Sequence, residues 1–185
     1  MKKRILFILL IAGLIAPAGL MAQKISKVGS AIILDSTGGE AGGGLPTGAV
    51  TNVKKYTGSY GTPANSGSTL SNNTHLGTIN AQVYEKLEIA SADNGSATDW
   101  TAAFNGCKNT TPVGQWRLPT QRELMLIYIF RSAIVPLGGS TFAAGNYWVS
   151  TESTTYNAWF VSFGNGSTSN GAKTSNYRVR CVREL

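Results

Sequence analysis

The second half of the chain contains a segment with the hydrophobic spacing of an amphipathic helix. Its apolar positions at i, i+3, i+4 and i+7 are Trp100, Ala103, Phe104 and Cys107. These side chains share one helical face, and Thr98 or Asp99 can cap the start of the helix. The spacing therefore predicts a helix that buries this face and directs the Cys107 thiol into the core.

A second helix is predicted to begin after Thr120. The sequence Thr-Gln-Arg-Glu at residues 120–123 is a capping box, in which Thr120 and Glu123 each accept a hydrogen bond from the other's backbone amide. Residues 124–130 are apolar almost all round the helix, so we expect it to be covered on most sides and to lie centrally. Pro136 ends it.

Alternating apolar and polar positions predict strands in the remaining segments. They cover residues 81–89, 146–150, 158–163 and 177–182. We expect the last two to pair as a hairpin, with the connection at residues 164–176 forming an exposed loop because it holds no large apolar residue. Two helices packed on a small, twisted, mainly antiparallel sheet make an α+β fold.

The N-terminal pattern is that of a signal peptide. A basic start at residues 2–4 precedes an apolar run at residues 5–20, and small residues follow where a signal peptidase needs them. We predict that residues 1–22 are removed on export, which leaves no transmembrane segment. A retained anchor is the alternative, although a spanning helix needs about 20 apolar residues. The protein is then expected at the cell surface, outside the cell or in a periplasm.

Residues 23–78 are rich in Gly, Ser, Thr and Asn, with short apolar runs such as residues 31–34. We expect this segment to have little core of its own and to be partly flexible. The compact domain is predicted at residues 79–185.

The net charge of the chain restricts the classes of partner that it is expected to bind. Signal cleavage removes three cations and lowers the formal net charge from +7 to +4, which is mildly basic. Such a charge favours acidic partners, but the chain lacks the dense Lys/Arg stripe on which nucleic-acid binding depends. A glycan or extracellular matrix polymer is the expected partner, and nucleic acid is not.

The two cysteines, Cys107 and Cys181, are expected to form one disulfide. An exported protein folds in an oxidising compartment, and neither cysteine lies in a C-x-x-C or metal-ligand spacing. A catalytic thiol is the alternative. However, the single histidine, His75, lies in a polar stretch far along the chain.

Five sequence blocks, in order, resemble the C-terminal domain family of the Legionella collagen-like adhesin. They are Trp100-x-x-Ala103-x-x-x-Cys107, Trp116-Arg117-Leu118-Pro119-Thr120-x-x-Glu123-Leu124, Tyr147-Trp148-x-Ser150-Thr151, Ala158-Trp159-x-Val161-x-Phe163-x-x-Gly166 and Arg180-Cys181-Val182-Arg183. The resemblance covers residues 80–185. It implies a surface module associated with adhesion, sulfated glycosaminoglycan binding and trimer formation, so a homo-oligomer is compatible with it. The glycines of the N-terminal segment follow no collagen-like Gly-x-y period.

The block at residues 117–120 is also similar to formylglycine-generating (sulfatase-modifying) enzymes. Their fold is C-type-lectin-like, and this resemblance implies that fold here. In that class a disulfide commonly ties the first helix to the last strand, which agrees with a Cys107–Cys181 bridge. The Glu-Pro-Asn, Gln-Pro-Asp and Trp-Asn-Asp triplets of calcium-dependent lectins do not occur in the chain.

Three cations are candidate ligand-binding residues. Arg178 and Arg180 share a strand face, and Lys173 lies in the loop before them. This basic patch could bind sulfate or carboxylate groups, which arginine grips with two parallel hydrogen bonds. A solvated sheet face without a ligand is the alternative.

Tyr156 and Asn157 are the other candidate ligand contacts. They lie in the polar run at residues 153–157, where an exposed aromatic ring could stack on a sugar. Arg117 is expected instead in a buried ion pair with Glu123 or Glu152. No catalytic residue, metal site or cofactor is predicted, since an ordinary turn and helix cap account for the oxygen-rich residues 93–99.

These observations predict an exported, non-catalytic binding module. The expected function is that of a surface adhesin that recognises glycans, including sulfated or acidic polysaccharides. The alternative is a structural or tip subunit of a surface appendage, in which the N-terminal segment donates or accepts a strand.

Overall fold

The computed structural model describes residues 24–35, 65 and 86–185. The helices are α1 (Trp100–Lys108), α2 (Gln121–Ile134) and a short 3-10 turn (Val135–Leu137). The strands are β1 (Lys24–Val28), β2 (Ala31–Asp35), β3 (Lys86–Ile89), β4 (Asn146–Glu152), β5 (Asn157–Ser162), β6 (Thr168–Ala172) and β7 (Val182–Glu184). The α+β prediction is confirmed, with two small antiparallel sheets in place of one. In these ranges no helix has the length and apolar character to cross a membrane.

The first sheet joins the N-terminal hairpin to the end of the chain, in the order β1-β2-β3-β7. Gly29 turns the hairpin with a φ of 60°, a value that favours glycine. Ile32 and Leu34 of β2 are buried in the same cluster as Leu87 and Ile89 of β3. Residues 24–35 therefore belong to the packed domain, contrary to the expectation that residues 23–78 have little core. The rest of that segment lies outside the described residues, apart from residue 65.

The second sheet has the order β4-β5-β6 and corrects the predicted hairpin. β5 pairs with β6, which lies inside the segment expected to be a loop, while β7 pairs with β3 in the first sheet. The sequence of β6, Thr-Ser-Asn-Gly-Ala, offers no apolar alternation because it is a largely exposed edge strand. Most of residues 177–181 instead lie between the sheets as isolated bridges and loops.

Helix α1 and its disulfide match the sequence prediction. Asp99 caps the helix by accepting a hydrogen bond from the Ala102 amide, and the buried residues are Trp100, Ala103, Phe104 and Cys107. The Cys107–Cys181 disulfide is present, with a Cα–Cα distance of 5.5 Å. It ties α1 to the segment that leads into β7, within a cluster that also contains Trp116 and Trp148.

Helix α2 begins as predicted and is covered on most sides, with Ile129 as an exposed apolar position. Thr120 and Glu123 form both hydrogen bonds of the capping box. Arg117 forms the expected buried pair with Glu123, at 2.8 and 2.9 Å. Ile129 is 57% exposed, whereas the other apolar residues of 124–130 are buried or packed, partly buried, against the core. The predicted coverage of α2 on most sides is therefore confirmed, with Ile129 as the exception.

We expect Thr120→Ala to lower the free energy of unfolding by about 1 kcal/mol, because it removes the N-cap acceptor of α2. Thr120 is almost fully buried, so its hydroxyl does not contribute to a ligand surface. Urea denaturation followed by tryptophan fluorescence measures the change. Thr174→Ala, at an exposed turn position, is the control and should leave stability unchanged. Equal stability of the two variants would show that Thr120 does not stabilise the helix start.

Candidate functional site

Lys173, the first residue of the predicted basic patch, lies inside the protein. Its side chain is fully buried, and its ammonium group donates hydrogen bonds to the carboxylate of Glu152 and to the carbonyl oxygen of Thr155. The same nitrogen lies 4.8 Å from the centroid of the Trp100 ring. The expectation that Lys173 faces solvent is therefore wrong, because its charge is balanced and enclosed by the protein.

Arg180, the second residue of the patch, is also fully buried. Its guanidinium donates to Asp93 at 2.9 Å and to the Ala90 carbonyl at 3.0 Å, and it packs 4.0 Å from the centroid of the Phe142 ring. These contacts join residues 90–93 to the segment before β4. The expected exposure of Arg180 is therefore wrong as well.

Arg178 is the one member of the patch that reaches the surface, with a side chain 41% exposed. Its guanidinium lies 3.7 Å from Asp93, so Arg178 and Arg180 share a face as their alternation predicts. The shared face points at a carboxylate rather than at solvent. A three-residue anion site of Lys173, Arg178 and Arg180 is therefore not formed.

Tyr156 lies at the turn between β4 and β5, and Asn157 is the first residue of β5. The Tyr156 side chain is 63% exposed, whereas Asn157 is partly buried. The hydroxyl of Thr154 accepts hydrogen bonds from both of their amides, at 3.1 and 3.0 Å. The Lys173 amide donates to the Tyr156 carbonyl at 2.8 Å. The turn thus presents an aromatic ring outward on a backbone held from both sides, and ligand contact by these residues stays a prediction.

Asp93 connects the two arginines to Tyr147. The Tyr147 hydroxyl donates to Asp93 at 2.9 Å and accepts from the Ala143 amide at 3.1 Å. Burial, and then the negative charge and hydrogen bond of Asp93, raise the pKa of Tyr147 to about 12. Asp93 therefore holds two cationic partners and one neutral partner in a single network.

The raised pKa of Tyr147 predicts a loss of stability at high pH. The folded pKa of about 12 exceeds the ordinary tyrosine pKa of 10.0, so the stabilising contribution is complete below pH 10 and is lost as the pH rises towards 12. Tyrosinate absorbance during alkaline titration should show an ionisation step at a pH of about 12. Tyr147→Phe should remove this late step, and its persistence in the variant would assign the step to another tyrosine.

A cavity of about 440 Å³ opens between the β1–β2 turn, β3 and the loop after it, and the loop that follows α1. Side chains that line it include Ser30, Glu88, Asp93, Asn94, Thr110 and Trp116. Asn94 is held in place by hydrogen bonds to Thr110 at 2.9 Å and to the sulfur of Cys181 at 3.3 Å. Within the described residues, no group of three or more His, Cys, Asp or Glu side chains is placed to hold a metal ion.

The cavity and the carboxylate partners of the cations have no signature in the sequence. Asp93 lies in a segment that reads as an ordinary turn, although it is the common partner of Arg178 and Arg180. Glu152, an expected alternative partner of Arg117, pairs with Lys173. Opposite charges separated by this much sequence give no local signal, so periodicity does not identify such pairs.

The structure is an α+β domain with one disulfide, a cross-link that persists in oxidising compartments. The sequence model of the Lcl C-terminal domain family matches residues 69–183, which is more than half of the chain. The chain belongs to the Lcl C-terminal domain family, as the resemblance to the Legionella collagen-like protein predicts. Comparison with curated proteins gives no match.

Proposed function

We propose that this protein is an exported, non-catalytic binding module that recognises glycans at the cell exterior and acts as a surface adhesin. Membership of the Lcl C-terminal domain family supports a surface role. The disulfide fits an oxidising compartment. Both observations agree with the signal peptide predicted for residues 1–22, which lies outside the described residues.

The observation that carries glycan recognition is the exposed ring of Tyr156 on its hydrogen-bonded turn. A tyrosine ring supplies an apolar face and a hydroxyl with few rotatable bonds, which suits stacking against a sugar. Beneath the turn, Lys173 bonds to the carbonyl oxygen of Thr155 and pairs with Glu152. The ring is therefore presented by a backbone that needs little ordering on binding, and this lowers the entropic cost of association.

The ion pairs of the domain favour neutral over sulfated glycans. Lys173 is paired with the buried carboxylate of Glu152, and Arg180 is paired with the partly buried carboxylate of Asp93. Arg183 likewise pairs with Glu88 at 2.5 Å. Binding of heparin-like polymers should consequently be weak and should fall as salt rises, because exposed charge attraction is screened over about 8 Å at physiological ionic strength.

A glycan array probed with the oxidised, signal-cleaved protein tests the proposal, in calcium and in EDTA. We expect selective binding that does not need calcium. Tyr156→Ala should weaken it at least tenfold, while Tyr156→Phe, which keeps the ring, should bind nearly as well as the original protein. Absence of binding to every glycan in both buffers would contradict glycan recognition.

A structural subunit of a surface appendage is the second candidate function. Strand β1 lies at the edge of its sheet, where a partner strand could add. Lys27 is exposed on this strand, and lysine on an edge strand opposes such pairing. Polymers seen by light scattering and electron microscopy, together with a silent glycan array, would favour this function over adhesion.

A further inference from the structure

The cavity beside β3 has walls from three separate parts of the chain. Residues 90–94 form one wall and are fixed to the segment before β7 by backbone hydrogen bonds from Ala90 to Cys181 and from Asn94 to Val179, at 3.0 and 2.9 Å. The disulfide fastens that segment to α1. This wall of the cavity is therefore held by backbone hydrogen bonds and a cross-link, so it needs little ordering on binding.

The polar side chains of this cavity offer hydrogen-bond acceptors. Asn94 donates its amide hydrogens to Thr110 and to the sulfur of Cys181, so its carbonyl oxygen is the group available to a ligand. Glu88 receives Arg183 on Oε2, and a carboxylate has further lone pairs on its second oxygen. A ligand that fits these groups must present hydrogen-bond donors.

The negative charges of the cavity are balanced from behind. Glu88 is paired with Arg183, and Asp93 is paired with Arg180 and Arg178. Balanced carboxylates still accept hydrogen bonds, but they give little net attraction to a cation and none to an anion. A neutral ligand with several hydroxyl groups matches this combination of acceptors and charge.

Trp116 supplies an apolar surface within the same cavity. Its indole N–H is already used by the carbonyl oxygen of Thr111 at 3.0 Å, and the Arg183 guanidinium lies 5.0 Å from its ring centroid. The indole therefore contributes carbon surface rather than a donor. A sugar ring has both an apolar C–H face and hydroxyl edges, and the volume of about 440 Å³ lies within the range of roughly 300–1,000 Å³ of known ligand cavities.

We propose that this cavity binds a neutral, hydroxyl-rich ligand of the size of one or two sugar units. The choice of a sugar rests on the proposed glycan-binding function, whereas the site is separate from the Tyr156 turn. Ser30 adds a wall from the β1–β2 turn, which lies outside the family match at residues 69–183. The matched domain without the β1–β2 hairpin should therefore have a different ligand preference.

Isothermal titration calorimetry with the oxidised, signal-cleaved protein tests the site. The probes are neutral mono- and disaccharides: glucose, galactose, mannose, N-acetylglucosamine, lactose and maltose. Ala92 and Ser30 are exposed and both line the cavity, so Ala92→Trp and Ser30→Trp should block it without disturbing the core. Ala97→Trp, at an exposed alanine of the same loop but outside the lining, is the matched control.

We expect saturable binding of at least one saccharide, a loss of affinity of at least tenfold in both blocking variants, and unchanged affinity in Ala97→Trp and Tyr156→Ala. Binding that survives both blocking variants but is lost in Tyr156→Ala would overturn the proposal that the cavity binds the ligand. It would leave the proposed function intact. Absence of saturable binding of every probe would also overturn the cavity proposal. The glycan array tests the proposed function separately. Thermal melting confirms folding, and Ser30→Trp alone decides the outcome if Ala92→Trp is unfolded.

Discussion

Glu152→Ala should lower the free energy of unfolding by about 3–5 kcal/mol, because it leaves the buried ammonium of Lys173 without its counter-charge. Both side chains are enclosed, at 1% and 0% exposed. The attraction of Lys173 to the Trp100 ring and its hydrogen bond to Thr155 replace only part of the lost interaction. Urea denaturation followed by circular dichroism measures the loss.

A double variant and an exposed pair provide the controls for Glu152. Glu152→Leu combined with Lys173→Met removes both charges and should recover much of the stability, since no uncompensated ion remains. Lys86→Ala breaks an exposed pair with Asp35 and should cost no more than about 1 kcal/mol. If Glu152→Ala cost no more than Lys86→Ala, the buried pair would have no special role in stability.

Removal of the disulfide is the second change with a large expected effect. The bridge spans a sequence separation of 74 residues, for which the loss of unfolded-chain entropy corresponds to roughly 4 kcal/mol of stability. The combined variant Cys107→Ala and Cys181→Ala should therefore unfold at a much lower urea concentration than the oxidised protein. Small side chains replace the buried sulfurs, so no new polar group enters the core.

Reduction of the original protein offers an independent measurement of the same bridge. Dithiothreitol should bring its unfolding midpoint close to that of the Cys107→Ala, Cys181→Ala variant, while the variant itself should not respond to the reductant. Equal midpoints for the oxidised and reduced original protein would show that the cross-link does not stabilise the domain.

The parts of the fold that the sequence predicts are those with local signals. The capping box at Thr120 and the apolar spacing that ends at Cys107 both involve residues within one or two helical turns of each other. These signals are therefore independent of the tertiary arrangement. Strand β6 gives no such signal, because its residues are polar and mostly exposed. The pairing of β7 with β3 joins distant parts of the chain and is set by packing of the whole domain.

The candidate site was harder to predict for a related reason. Alternation correctly places Arg178 and Arg180 on one face, but it does not tell whether distant residues cover that face. Asp93 and Phe142, together with Ala90 and Ser140, enclose Arg180, whereas Arg178 stays partly exposed. Lysine is seldom buried without a partner, so a lysine in a polar loop is normally expected in solvent. Glu152 is the partner that makes Lys173 an exception.

Glycan recognition is tested most directly by an NMR titration of the isotope-labelled, oxidised protein with the strongest neutral glycan from the array. We predict saturable chemical-shift changes at the Tyr156 turn, and at Glu88, Asn94 and Thr110 if the ligand also enters the cavity. Arg117 and Glu123, which form a structural pair at the start of α2, should remain unaffected. Spectra that do not change at any glycan concentration would contradict a glycan-binding role for this domain.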